Sequence, residues 1–376
     1  MKKRNGNKKM AMLLLLCFWC PHFAAYAEES LCEVDGVEYY YWWDHGWDYI
    51  ALGKQAETQA VYIPNDRKVL RIPKFINGKQ IKKIERGACS HLSDVEEIIL
   101  PDGVAEIGRD AFEECWSLKK INIPSSVGKI EGRVFVGCEN LKSVSLPRNV
   151  EIGGGMFAGC SSLESFVFPQ GVRSSDHRGV LEGFFTGCSS LKTISIPSCI
   201  TIIGHDTFDG CSSLVRIDLP SNLKSIGAHV FRGCKNLESI DIPENVVKIG
   251  SEAFNGCSRL KAIELPYRIT EIEGGDWRTG GTFGNCTSLK EISIPENVKG
   301  IGMFAFLNCT SLQKVSFSPD IQRIRIGDGA FKGCANLKEI ALPRSIADTV
   351  LDTKVDNKYD SKKIREIPGL KITYLD

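Results

Sequence analysis

The sequence has almost no surplus charge, few histidines and no apolar run long enough to cross a bilayer, and each absence removes a class of function. Its 376 residues hold 47 lysines and arginines against 46 acids, a net charge of +1. Five of those bases (Lys2, Lys3, Arg4, Lys8, Lys9) crowd the first nine positions, so the rest of the chain has 42 bases against 46 acids, or −4. Neutralising phosphates takes clustered Lys and Arg, which excludes nucleic acid as the main partner and disfavours anionic membrane surfaces. There is no GxSxG, HExxH, Walker A or EF-hand loop, and beyond residue 27 no CxxC pair to hold zinc. Beyond residue 27 only His45, His91, His177, His205 and His229 remain. His205 and His229 suggest a metal or general-base pair, but only Asp206 joins them at a matched position, so they read as solvated turn residues. We therefore expect no enzymatic activity, no metal and no cofactor.

What is present begins with an address. The basic start leads into an apolar segment from Met10 to Trp19 and then into Ala25-Tyr26-Ala27, the small-x-small pattern of a signal peptidase site. Residues 1–27 read as a secretory signal peptide cleaved after Ala27. An uncleaved anchor would need roughly 20 apolar residues, and no later stretch supplies them. A lipid anchor on Cys17 or Cys20 would need small residues before the cysteine, where Leu16 and Trp19 stand. The mature chain is expected to be secreted or held at the cell surface, with no transmembrane segment.

Most of the remainder repeats. Ala111-Phe-Glu-Glu-Cys-Trp-Ser-Leu-Lys-Lys-Ile-Asn-Ile-Pro124 returns at Val134–Pro147 and Ala253–Pro266. The frame cysteines are Cys115, Cys138, Cys160, Cys188, Cys211, Cys234, Cys257, Cys286, Cys309 and Cys334, spaced 23, 22, 28, 23, 23, 23, 29, 23 and 25 residues apart. Phenylalanines such as Phe112, Phe135, Phe231 and Phe254 stand three residues before them. A first unit fits if Cys89 takes the Phe position, Leu92 the Cys position and Val95 the Leu position. Alternating apolar residues before each proline, as at Ile240 and Ile242, have the period of a short half-buried strand that the proline ends. A second apolar pair follows, as at Val246 and Ile249, and then an Ile-Gly-x-x-Ala-Phe stretch that reads as a turn or short helical piece. Gly153-Gly154-Gly155 and the Gly327-x-Gly329 stretch fall at this turn, so they are turn glycines rather than phosphate loops. One unit cannot bury its own apolar face, so the fold class is a repeat solenoid of about eleven units of roughly 23 residues with parallel strands. At about 4.8 Å per strand it should be on the order of 50 Å long.

The frame L-x-x-I-x-[IL]-P-x-x-V-x-x-I-G-x-x-A-F-x-G-C resembles the BspA-like leucine-rich repeat family. The resemblance covers residues 82–346, with 28–81 similar to the β-rich leader of that family and 347–376 left as a C-terminal cap. Met156 and Phe184 depart from it by replacing the small residue before Phe, and two units are lengthened. The resemblance implies a secreted or surface-displayed bacterial or protist protein, some of whose relatives bind host matrix proteins or other microbes. It names no ligand.

Thirteen cysteines follow the signal peptide. In a secreted chain disulfides are the first reading, but the fixed spacing of the ten frame cysteines to Phe and Leu marks an inward position where Cys acts as a small hydrophobe. We read them as buried thiols. Cys32 and Cys199 lie outside the frame and either pair or stay free. Asn285-Cys-Thr and Asn308-Cys-Thr are formal glycosylation sequons that the frame itself explains.

A solenoid presents one residue per unit at each surface position, so a binding face is a column. The outward column between the paired apolar residues runs Ile99, Asn122, Ser145, Val167, Ser195, Asp218, Asp241, Glu264, Ser293, Ser316, Ala341. Asp218, Asp241 and Glu264 are consecutive acids that would meet a cation or a basic partner, or stand as a solvated strip. The lengthened units carry two further candidates: Arg173-Ser-Ser-Asp176-His177-Arg178, and Asp276-Trp277-Arg278 between glycines. Trp and Arg are enriched among interface hot spots. The aromatic run Tyr39 to Trp43, with Trp47, reads as an end cap with half its rings turned inward, against a sugar-stacking platform. Together these features point to non-covalent recognition of a protein or glycan outside the cell, the alternative being a self-associating structural component.

Overall fold

A computed structural model describes residues 28–43, 49–53, 60–64, 67–175, 180–352, 363–367 and 369–375. The signal peptide, Trp47, and Asp176, His177 and Arg178 lie outside the described residues.

The chain opens with the antiparallel strands Glu28–Val34 and Val37–Trp43. They turn through Asp35-Gly36, both at positive φ (50° and 75°), the residue pair a two-residue hairpin favours. Alternation turns Tyr39 and Tyr41 into the core, at 2% and 3% exposure, as the aromatic run predicts. The Tyr39 hydroxyl donates to the Arg71 carbonyl at 3.1 Å. Tyr49–Leu52 pairs antiparallel with the hairpin on one side and parallel with Lys79–Ile84 on the other, so the leader is continuous with the solenoid.

Each coil then contributes up to two short parallel strands. The first is the expected one before the proline: Val69–Arg71, Glu97–Ile99 and Lys120–Asn122 stack in register, as do Thr193–Ser195 with Arg216–Asp218, and Glu291–Ile294 with Lys314–Phe317 and Glu339–Pro343. The second is only two residues long, as in Glu106–Ile107, Lys129–Ile130 and Glu151–Ile152, and forms its own sheet. Its outward column alternates in sign through Lys83, Glu106, Lys129, Glu151 and Arg173, which supports in-register parallel stacking. Sequence reasoning gave each coil one strand. Ile107 or Ile130 alone points inward there, and one buried residue carries no period.

The third side of each coil is a turn, not a helix. Among the described residues, helical segments occur only at 344–351 and 364–366. The frame glycine before each cysteine sits at positive φ, from 71° to 78° in Gly137, Gly159, Gly187, Gly210, Gly233, Gly256 and Gly333, where other residues are strained. The Ile-Gly glycine has a different reason: a Cβ on Gly250 would stand 2.5 Å from the Ala228 backbone nitrogen.

The interior is a column of phenylalanines. Phe112, Phe135, Phe157, Phe185, Phe208, Phe231, Phe254, Phe283, Phe306 and Phe331 stack face to face, with centroids 5.2–5.9 Å apart and planes within 21°. Beside them runs the cysteine column, and the thiols are free. Each thiol from Cys138 to Cys334 donates to the carbonyl of the phenylalanine one coil earlier at 3.1–3.3 Å. The frame cysteine thus joins adjacent coils by a hydrogen bond as well as filling space. The two lengthened coils coincide with the breaks in the second sheet. The second sheet stops at Arg173–Ser174, resumes at Val180–Leu181, and breaks again between Lys248–Ile249 and Glu271–Ile272. Lys371–Leu375 closes the array by adding a parallel strand to Glu339–Pro343.

Candidate functional site

The lengthened coil between Cys257 and Cys286 leaves the strand Glu271–Ile272 and returns through a tight loop. The Gly280 N–H donates to the Asp276 carbonyl at 2.9 Å, closing the loop at its base. The Asp276 carboxylate accepts the N–H groups of Thr279 (2.8 Å) and Arg278 (2.7 Å) and the Thr279 hydroxyl. These bonds, with Thr279 first, hold the Asp276 carboxyl below the usual carboxylate range. The flanking glycines are required by contact: a Cβ on Gly275 would fall 1.7 Å from the Gly280 carbonyl oxygen, and one on Gly281 would fall 2.8 Å from Ala305 Cα. The loop is tied to its neighbours as well, because the single Thr279 hydroxyl proton is shared between Asp276 and Glu252, 3.0 Å away, and the Thr279 carbonyl accepts from Asn285 at 3.0 Å. A rigid base therefore carries Trp277 at the apex, 62% exposed, with the Arg278 guanidinium 4.9 Å over its ring. Trp277 does not fold back onto its own coil.

The other candidates sit differently. Arg173 lies in the strand Arg173–Ser174, paired with Glu151–Ile152, so the second sheet continues one more coil through this residue. Asp218, Asp241 and Glu264 are all exposed, but Asp218 is held by Arg216 of its own strand at 2.9 Å, which partly neutralises one end of the strip. His205 accepts the Ala228 N–H at its Nδ1, 3.1 Å away. His229 is joined by two carboxylates, not one: Asp206 at 3.1 Å and Glu252 at 3.9 Å. Glu252 lies one repeat after His229, a column position that reading the histidines as a pair passed over. Among the described residues no group of three potential ligands is placed to hold a metal ion.

The sequon asparagines occupy the frame glycine position, with φ of 59° at Asn285 and 57° at Asn308, the conformation Asn tolerates best after Gly. Their side chains form a ladder in which Asn308 donates to Asn285 and Asn285 to Asn255, each at 3.1 Å.

Comparison with known proteins places these features. Residues 68–178, 180–276 and 280–353 match a model of the BspA type leucine rich repeat region, in six copies. No curated protein matches. Among solved structures, the pneumococcal vaccine antigen PcpA is 18% identical, with 92% of this chain and 99% of that one covered and a TM-score of 0.58, a likeness of fold. A leucine-rich repeat protein from Bacteroides ovatus is 25% identical over 92% of this chain and 100% of its own, with a TM-score of 0.49. A leucine rich cell surface protein from Faecalibacterium prausnitzii is 24% identical over 87% of this chain and 98% of its own, with a TM-score of 0.49.

Proposed function

Because the chain belongs to the BspA-type leucine-rich repeat family, we propose that it is a secreted or cell-surface adhesion module that binds a protein or glycan ligand non-covalently. The observation that carries this reading is the Trp277–Arg278 pair. An exposed indole with a guanidinium stacked on one face leaves the other face free for a ring, a sugar or a side chain. Its anchored base keeps the ordering cost of binding low. The basic and apolar N-terminus with its small-x-small site supports export, and the mildly acidic body supports a ligand other than nucleic acid or anionic lipid. The polar outward column supports broad contact around the loop. No catalytic step is assigned.

The test is a binding screen of residues 28–376 against arrays of host matrix proteins and glycans, beside a Trp277→Ala, Arg278→Ala variant. A hit lost in the variant supports recognition at the loop. A hit kept moves recognition elsewhere on the array. No hit, together with a solution mass that rises with concentration, replaces this reading with a self-associating structural component.

A further inference from the structure

The turn side of the array changes character at the second insertion. In the three coils before it, the position five residues before the frame cysteine holds Asp206, His229 and Glu252, and the position two before it holds Asp209, Arg232 and Asn255. These groups answer one another from coil to coil, as His229 does Asp206 at 3.1 Å and Arg232 does Asp209. In the coil after the insertion the same two positions are Phe304 and Leu307, with Met303 ahead of them. Phe304 stands at φ 56°, a conformation that bulky side chains rarely take and that strained functional segments retain. A Cβ on Gly329 of the following coil would fall 2.4 Å from the Phe304 ring, so that glycine leaves the space the ring fills.

The insertion is bonded directly onto this coil. Gly275, Gly281 and Asn285 donate their N–H groups to the carbonyls of Met303, Phe304 and Leu307 at 2.9, 2.8 and 2.6 Å. Met303, 49% exposed, thus adjoins the loop that carries Trp277, and Phe304 and Leu307 are nearly covered beside it. Exposed apolar residues gathered in this way mark an interaction surface, and Trp, Met and Arg are types enriched at the centre of protein interfaces. Asp276 and Thr279 spend their polar groups inside the loop and on Glu252. That leaves the Arg278 guanidinium and the Trp277 N–H to face a ligand from 276–279, a sparse set for a hydroxyl-rich sugar. Among the described residues no carboxylate lies within ion-pair distance of Arg278, unlike Arg232 with Asp209 or Arg216 with Asp218. We propose that Trp277, Arg278 and Met303 form the centre of a docking surface for a protein partner that presents an apolar side chain next to a carboxylate. The apolar group packs against Trp277 and Met303, and the carboxylate meets the unpaired guanidinium. The inference rests on the reading of the Trp277 loop as a recognition site and narrows its ligand to a protein of this chemistry.

The probe is a phage-displayed library of random heptapeptides panned on residues 28–376, the strongest selected peptide then being synthesised and titrated by fluorescence anisotropy. Selected peptides should carry an aliphatic, methionine or aromatic residue within two positions of Asp or Glu. Met303→Lys and Arg278→Glu should each weaken the titrated peptide by about tenfold or more, and panning on Arg278→Glu should return Lys or Arg in place of the acid. Both positions are exposed, so both variants should melt as the parent does. No enriched peptide, selected peptides without the acid, or equal binding by Met303→Lys at unchanged melting temperature would overturn the proposal. A glycan hit lost in the Trp277→Ala, Arg278→Ala variant would overturn it while leaving the loop reading in place. A solution mass that rises with concentration in the parent but not in Met303→Lys would give the surface to a second copy instead.

Discussion

Replacing Phe208 by alanine should be among the most damaging single changes in the array, and damaging in a particular way. Phe208 is fully buried and stacks on Phe185 at 5.4 Å and on Phe231 at 5.7 Å, with planes within 13° of parallel. Truncating a buried Phe costs about 3–5 kcal/mol, and each stacked pair adds about 0.5–1.5 kcal/mol beyond area alone. Phe331 closes the same column, 2% exposed, and stacks on one neighbour, Phe306, at 5.3 Å. Phe331→Ala therefore loses one stack where Phe208→Ala loses two, and should be milder by about 0.5–1.5 kcal/mol. Solenoid stability is a sum of unit and interface terms, so a central defect also uncouples the halves while an end defect only frays. Urea unfolding followed by circular dichroism should give a lower midpoint and a broadened or two-step transition for Phe208→Ala, and a single transition for Phe331→Ala. Equal losses at the two positions, or a loss under about 1.5 kcal/mol at Phe208, would refute the view that the ring column couples the coils.

Three further outcomes follow from the same contacts. Burial first, and then neighbouring thiols in several cases, raise the thiols of Cys138, Cys160, Cys188, Cys211, Cys234, Cys257, Cys286 and Cys334. Their stabilising contribution is thus complete below the unfolded thiol value of about 8.5 and is lost as pH rises above it, by up to about 1.4 kcal/mol per pH unit for each thiol. The urea midpoint should fall steeply between about pH 8.5 and pH 10, and iodoacetamide at neutral pH should label exposed Cys199 first; a flat midpoint or early labelling of the frame would contradict this. Gly250→Ala should cost about 1–3 kcal/mol because its Cβ meets backbone, whereas Gly128→Ala, with nothing within 4 Å, should leave the melting temperature within a degree or two. Asp276→Ala should weaken ligand binding several-fold without lowering the melting temperature, because it frees the loop and not the core. In the native protein that support should persist at neutral pH and be lost only as pH falls through the lowered Asp276 value, below about 3.9.

The sequence made the inward frame plain because the Phe, Cys and Leu positions recur with one spacing, and all ten rings and thiols lie inside. Tyr39 and Tyr41 followed from strand alternation in the same way. Other features have no local period. A two-residue strand such as Lys129–Ile130 carries one inward side chain, so the second sheet shows only in its pairing. The thiol bonds join Cys138 to a backbone carbonyl 26 residues earlier, a contact that residue types do not encode. At the candidate site, glycines around a Trp-Arg pair predicted a projecting loop, but its anchoring by Asp276 depends on the turn that brings Arg278 and Thr279 round to the carboxylate. Arg173 looked like part of a loop because the insertion's length is visible in sequence while the pairing of Arg173–Ser174 with Glu151–Ile152 is not.

The central claim, recognition through the Trp277 loop, is tested most directly by amide hydrogen exchange of the chain alone and bound to its array hit. The account predicts new protection at 276–282, where the Arg278, Thr279 and Gly280 amides are held by Asp276, with little change in the coils of the first insertion. Protection confined to other coils, with the loop amides exchanging as in the free protein, would contradict it.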